Sequence, residues 1–292
     1  MSQEQPGWRD LFEHLDSETL KLKQQEYNRY YFAVISALAY KDPGCITTPW
    51  DKLGYVCAFY DQEGAQCYVL ENKDHIVVAF RGTEPKEWSD IKADMSFRKT
   101  WHRGHGRVHR GFMIEVWKLA DCLAPHIFKT EKQVYITGHS LGGAMATLYS
   151  QLCRPNGSPI VYTYGAPRSG DSKFVKNFKG RLHRMRNNND LVPTVPPAWI
   201  GFNHVGEVTY INHYGYIRNY TWWQKFKDHC RGHMSAWKKL EFFDGLRDHS
   251  MDKYCKALYN NWMEKPKELG GPSGPEPTRF GTWENKGREI DF

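Results

Sequence analysis

No run of eighteen apolar residues occurs in the 292-residue sequence, so no transmembrane helix is expected. The opening Met1-Ser-Gln-Glu-Gln-Pro-Gly-Trp-Arg-Asp10 holds neither a basic start nor an apolar stretch, and no secretory signal is expected. The seven cysteines are scattered and form no C-x-x-C pair. That odd count speaks against a disulfide framework and for reduced, mostly buried thiols in a cytoplasmic protein. Internal repeats are lacking, which excludes a solenoid. No nucleic-acid recognition motif accompanies the net charge of +7, so nucleic acid is not an expected partner, although the charge suits anionic lipid. His102, His105 and His109 are spaced like ligands within the basic run from Arg98 to Arg110, yet no cysteine or carboxylate stands at ligand spacing beside them. A solvated basic loop is the reading there, with neither metal nor cofactor.

What the chain does have is enough length and apolar content for one large domain or two small ones. Tyr30-Tyr-Phe-Ala-Val-Ile-Ser-Ala-Leu-Ala-Tyr40 reads as a buried helix closed by Pro43-Gly44, and residues 8–26 as an exposed one. Cys67–Leu70 and His75–Phe80 read as a hairpin across Glu71-Asn-Lys-Asp74. A helix over about 110–127 follows, then strands at Val134–Thr137, Pro159–Tyr164, Arg181–Arg186 and Glu207–Ile211, and a last helix from Met251 to about Trp262. Strands interleaved with helices imply an α/β protein, a mostly parallel sheet covered on both faces. The aromatic-basic stretch between 210 and 240, with Trp222, Trp223, Phe226 and Arg231, reads as a packed helical insertion. A composition shift at Lys265-Pro-Lys-Glu-Leu-Gly-Gly-Pro-Ser-Gly-Pro-Glu-Pro277 divides a folded domain, 1–264, from a disordered Pro/Gly-rich tail, 265–292.

Gly138-His-Ser-Leu-Gly142 is the most informative motif. The bare G-x-S-x-G pattern is weak. Its context is not, because the apolar Val134-Tyr-Ile-Thr137 precedes it and the helix-forming, small-residue run Leu141–Cys153 follows. A serine on a sharp strand-to-helix turn projects its hydroxyl clear of the backbone. Such a serine needs a base to take its proton and a carboxylate to hold that base. With the order serine, acid, histidine, Asp190 in Asn187-Asn-Asn-Asp-Leu-Val-Pro193 is the first acid candidate, just past a strand end, and Asp171 the second, equally readable as a helix N-cap. His249, just before the last helix, competes with His204 as base. Asp248 is a poor orienter of its own neighbour. For the oxyanion, the N–H of Leu141 is one donor, and Thr83, in the turn Phe80-Arg-Gly-Thr83 after a strong strand, offers the other.

Taken together, Ser36-Ala-Leu-Ala-Tyr40, Val78-Ala-Phe-Arg-Gly-Thr83, Val108-His-Arg-Gly-Phe112, Ile136–Gly143, Tyr164-Gly-Ala-Pro-Arg-Ser-Gly-Asp171, Asn189-Asp-Leu-Val-Pro193 and Asp248-His-Ser-Met-Asp-Lys-Tyr254 resemble the class 3 lipase family, the fungal-type triacylglycerol lipases and their bacterial relatives. The segments fall in family order over roughly residues 30–262. The resemblance implies an α/β-hydrolase fold, with Ser140 as nucleophile, Asp190 as acid, His249 as base, and Thr83 with Leu141 as oxyanion hole. It also favours His249 over His204, whose surroundings match a strand region of the family. Family lipases often carry an amphipathic lid helix after the oxyanion-hole strand. Here Glu84-Pro-Lys-Glu-Trp-Ser-Asp-Ile-Lys92 is short and mostly polar, which implies a preference for soluble or short-chain esters.

The expected function is therefore a serine carboxylester hydrolase, a triacylglycerol lipase or esterase that frees fatty acid from acylglycerols. Its expected partners are a lipid or ester substrate and a peripheral membrane or lipid droplet surface. A phospholipase or other esterase is the near alternative. Residues 266–292, above all Gly274-Pro-Glu-Pro-Thr-Arg-Phe-Gly281 and Asp291-Phe292, resemble the C-terminus of the succinate dehydrogenase assembly factor four family. That resemblance implies binding to the flavoprotein subunit of succinate dehydrogenase, and it supports a rival reading of the chain as a non-enzymatic scaffold. The plainer reading is a tail without a present role.

Overall fold

The β-branched, wholly apolar interior of His75-Ile-Val-Val-Ala-Phe80 builds a strand buried on both sides, as the middle of a parallel sheet requires. Around it a computed structural model describes residues 25–44, 50–51, 53–82, 98–102, 104–128, 130–152, 158–217, 248–263, 283–285 and 288–290. Thr83, the 84–92 stretch, the expected helix before residue 25 and most of the aromatic-basic run lie outside these residues. Along the chain run α1 (Gln25–Leu38), β1 (Val56–Gln62), β2 (Ala65–Glu71), β3 (His75–Phe80), β4 (Lys99–His102), β5 (Gly106–His109), α2 (Arg110–Ile127), β6 (Gln133–His139) and α3 (Leu141–Leu152). They are followed by β7 (Ile160–Tyr164), α4 (Ser172–Asn177), β8 (Arg181–Asn187), β9 (Glu207–Ile211) and α5 (Met251–Met263). In the tail, β10 (Trp283–Asn285) and β11 (Arg288–Ile290) pair antiparallel.

The main sheet has seven strands in the order β1-β2-β3-β6-β7-β8-β9. The first three are antiparallel meanders, and from β3 onward every pairing is parallel. Side-chain alternation sorts two cores. Val77 and Ala79 of β3, Tyr135 of β6 and Tyr162 and Tyr164 of β7 face the side covered by α1 and α5. Ile76, Val78 and Phe80, Val134 and Ile136, and Val161 face α2 and α3. The first core is aromatic: Tyr27 and Tyr30 of α1 meet Trp262 of α5 at 4.9 and 5.6 Å between ring centroids, and Phe32 stacks on Tyr162 at 4.5 Å. Register aligns Phe80 with Gly138, His139 with Tyr164, Tyr164 with Met185 and Asn187 with Ile211. The C-terminal ends of the parallel strands therefore form one edge, where open α/β sheets carry their sites. Among the described residues no helix is long and apolar enough to cross a membrane.

The stretch expected to be a solvated basic loop instead contains the β4–β5 hairpin, closed by pairs such as Trp101 with Arg107. Two of its histidines are engaged within the protein. His105 Nδ1 lies 2.7 Å from Gln151 Nε2, and His109 caps α2 by accepting the Phe112 N–H at 3.3 Å.

Candidate active site

Ser140 stands between the last residue of β6 and the first of α3, with φ at +58°. A non-glycine residue rarely adopts that left-handed conformation, and it is held here by contacts on both sides. The Ser140 N–H donates to the Tyr164 carbonyl at 2.9 Å, while the Ser140 carbonyl accepts from Gly143 at 3.0 Å. The following turn has no room for a side chain. A Cβ on Gly142 would run into the carbonyl of Phe80 at the end of β3.

Just after β8 ends, the polar turn Asn188-Asn189 delivers a fully buried Asp190. Its carboxylate is satisfied from three directions. Oδ1 accepts the Val192 N–H at 2.9 Å, Oδ2 accepts the Tyr254 hydroxyl at 2.7 Å, and both oxygens lie 3.0 Å from His249 Nδ1. A carboxylate only accepts, so Nδ1 carries the proton toward Asp190 and Nε2 is the ring nitrogen that presents a lone pair. Gly165, at φ +57°, keeps the acid and the imidazole in contact, since a Cβ there would lie 2.6 Å from Asp190 Oδ2 and 2.8 Å from His249 Nδ1.

His249 is tied to the serine turn through His139, the residue before Ser140. The rings of His139 and His249 lie 4.4 Å apart, and His139 Nε2 donates to the His249 carbonyl at 2.7 Å. That donation assigns the tautomer, so His139 Nδ1 accepts the Tyr40 hydroxyl at 2.9 Å. Burial, aided by the neighbouring His249, holds the His139 imidazole well below the usual histidine range and so neutral. Asp248 does not orient its neighbour's ring but ties its loop down. It accepts from Asn188 Nδ2 at 2.9 Å, from the Asn189 N–H at 3.3 Å and from Lys253 Nζ at 2.6 Å.

The other weighed residues lie elsewhere in the network. Asp171 caps α4 by accepting the Phe174 N–H at 2.8 Å. His204 Nε2 donates to the Pro193 carbonyl at 2.7 Å, and burial together with Arg184 lowers its pKa to about 3. Leu141 opens α3, where the first N–H groups have no intrahelical acceptor. Thr83 lies outside the described residues. Tyr254, His139, Tyr40 and Gly165 were not singled out for any role at this site. The one available signal was their position within the recurring segments around Tyr40, Ser140, Tyr164 and His249.

The family profile described as "Lipase (class 3)" matches residues 77–199. The secreted mono- and diacylglycerol lipase MDL3 of Malassezia globosa is 31% identical over 229 residues, 70% of this chain and 69% of that protein. The chain belongs to the class 3 lipase family. The lipase of Rhizomucor miehei is 30% identical over 158 residues, 48% of this chain and 43% of that one. Its propeptide-complex structure superposes with a TM-score of 0.56 at 24% identity, covering 65% of this chain and 70% of that chain, which establishes the α/β-hydrolase architecture. Toxin TseL of Vibrio cholerae is 42% identical over 98 residues, 32% of this chain but 15% of the toxin. Coverage of the relatives is thus uneven, and two of these three are spanned over less than half their length.

The cytoplasmic expectation is overturned by these matches, because MDL3 and three further matched relatives are named as secreted proteins. Cysteine pattern was a poor guide to compartment. Cys57, Cys67, Cys122 and Cys255 are free thiols, with Cys67 and Cys255 buried, and packing protects a buried thiol wherever the protein resides. A second profile, described as a protein of unknown function (DUF1674), matches residues 244–292.

Proposed function

We propose that this class 3 lipase hydrolyses carboxylic esters, acting on acylglycerols through an acyl-enzyme on Ser140. The observation that carries the reading is the buried His249–Asp190 pair, with both carboxylate oxygens 3.0 Å from Nδ1, linked through His139 to the Ser140 turn. Ser140 Oγ attacks the ester carbonyl as His249 Nε2 takes its proton. Asp190 keeps the ring in the required tautomer and stabilises the imidazolium that forms. Negative charge on the carbonyl oxygen rests on the Leu141 N–H, at the N-terminus of α3, and on Thr83. His249 returns the proton to the leaving alcohol, and water, deprotonated by the same ring, then releases the fatty acid. The name of MDL3, a mono- and diacylglycerol lipase, and the description of the Rhizomucor enzyme as a triacylglyceride lipase support acylglycerol as the substrate class. A panel of glycerides, phospholipids and simple esters of graded chain length distinguishes a phospholipase or general esterase from it.

Ser140→Ala is expected to abolish p-nitrophenyl ester turnover while leaving the circular dichroism spectrum unchanged. Residual turnover within about tenfold of wild type would contradict the mechanism, since loss of the nucleophile in such sites costs several orders of magnitude.

We take residues 1–264 as the hydrolase domain and 265–292 as a separate tail. For the tail, the resemblance noted above supports docking on the flavoprotein subunit of succinate dehydrogenase, which recovery of that subunit with and without residues 266–292 decides.

A further inference from the structure

The β4–β5 hairpin and the turn at 198–200 meet in a face that the hydrolytic machinery does not use. Alternation along the hairpin puts Lys99, Trp101 and Arg107 on one side, with Trp101 and Arg107 directly opposite and the guanidinium 4.5 Å over the indole. Lys99 connects the hairpin to the turn, donating to the Ile200 carbonyl at 2.6 Å while its ammonium lies 4.7 Å from the Phe202 ring. Beyond them the Arg110 N–H donates to the Arg98 carbonyl at 2.9 Å, which extends the hairpin by one more pair.

Two tryptophans stand in water on this face. Trp199 is 87% exposed and Trp101 65%. Trp199 does not hang from a slack loop. Arg168 anchors the segment leading into its turn, through its N–H to the Val195 carbonyl at 2.8 Å and through Nη1 to the Pro196 carbonyl at 2.9 Å and the Thr194 carbonyl. The Gly201 N–H closes the turn on the Ala198 carbonyl at 2.8 Å. A rigid turn that keeps a large indole out of the core forgoes the burial that would stabilise the fold. The two segments themselves carry no acid: residues 98–111 contain no Asp or Glu, and neither do residues 193–204. The carboxylate that reaches the hairpin, Asp171 beside Gly106, is engaged in capping α4. Exposed aromatic side chains beside Lys99 and Arg107 suit the boundary between anionic headgroups and acyl chains, where indoles seat and Lys or Arg meets phosphate.

We propose that this face docks the protein on an anionic phospholipid bilayer, with Trp101 and Trp199 entering the interface and Lys99 and Arg107 facing lipid phosphates. Docking does not depend on hydrolysis, so it is measured on the Ser140→Ala protein, which leaves the vesicles intact. Sedimentation with phosphatidylcholine vesicles is compared with phosphatidylcholine–phosphatidylglycerol vesicles. Binding is expected to require the anionic lipid and to weaken as sodium chloride is raised. Arg107→Glu should lower the partition coefficient at least about fivefold, the loss expected per cation at such a surface. Trp101→Ala with Trp199→Ala should lower it further. On an otherwise wild-type background the same changes should leave turnover of a soluble short-chain ester unaltered, which separates failure of docking from failure of the hydrolase reading. Equal binding to neutral and anionic vesicles overturns the proposal. So does unchanged binding of the double tryptophan variant, or retention on DNA or an acidic protein in place of vesicles.

Discussion

Among single residues Tyr254 carries the sharpest consequence for the proposed chemistry. Its hydroxyl donates to Asp190 Oδ2 at 2.7 Å and accepts the Asn187 N–H at 3.0 Å. Burial and the adjacent Asp190 carboxylate hold its pKa well above the usual tyrosine value, so it stays a donor at every working pH. Tyr254→Phe keeps the ring but leaves an amide and a carboxylate oxygen without that partner in the interior. Stability should fall by about 1–3 kcal/mol, the penalty for buried groups left unsatisfied. With the carboxylate less firmly aimed, kcat should fall up to about 100-fold while KM stays near wild type. Urea denaturation and steady-state kinetics on a soluble ester check both halves. An unchanged kcat would remove Tyr254 from the positioning of the acid. None of this was readable from the sequence, where Tyr254 is one apolar position on an amphipathic helix. The sequence ranks Asp190 ahead of Asp171 as the acid, although both are turn acids. Only folding shows that one meets the Phe174 N–H and the other an imidazole.

At the level of elements, the strand-to-helix turn at Ser140 rests on the absence of side chains beside it. Gly142 lies against the carbonyl of Phe80, and main chain cannot swing aside as a flexible side chain can. Gly142→Ala should therefore cost about 1–3 kcal/mol as an overpacked site and push β3 and α3 apart. Differential scanning calorimetry should show the lowered midpoint, with ester turnover falling alongside. A variant as stable and active as wild type would show that the close approach is not required. The same physics explains which elements could be read in advance. β3, β6 and β7 are buried on both faces and appear as apolar runs, and the 3.6-residue period of α2 is plain over its whole length. β1 escaped notice because it is an edge strand whose first residue, Val56, is 77% exposed, so neither run nor alternation marks it. β4 and β5, Lys-Thr-Trp-His and Gly-Arg-Val-His, pair with each other and bury one apolar side chain, Val108, in the core, too little to mark a strand in the sequence.

For the molecule as a whole, histidine burial governs the response to acid. His75 and His109 are buried, and loss of hydration lowers each pKa to about 4. For His75 the nearby Asp74 only partly opposes that loss, and Lys132 adds to it. His183 and His204 are lowered in the same direction, to about 4 and about 3, each with arginine charge reinforcing burial. Between an unfolded pKa near 6.5 and these folded values, the unfolded chain binds protons that the native state refuses. Stability must then decline as pH falls from about 6.5 to about 4, and it should be largely insensitive to these groups above pH 7. A histidine shifted from 6.5 to about 4 contributes about 3 kcal/mol to that decline. Urea midpoints measured from pH 7.5 down to pH 4.5 should trace the descent. His75→Gln cannot charge, so it should flatten the curve even where it lowers stability at neutral pH through the altered contact with Tyr55. Parallel curves for wild type and variant would mean that His75 takes up its proton inside the fold as readily as outside it, and that its burial against Tyr55 and Tyr135 does not resist charge.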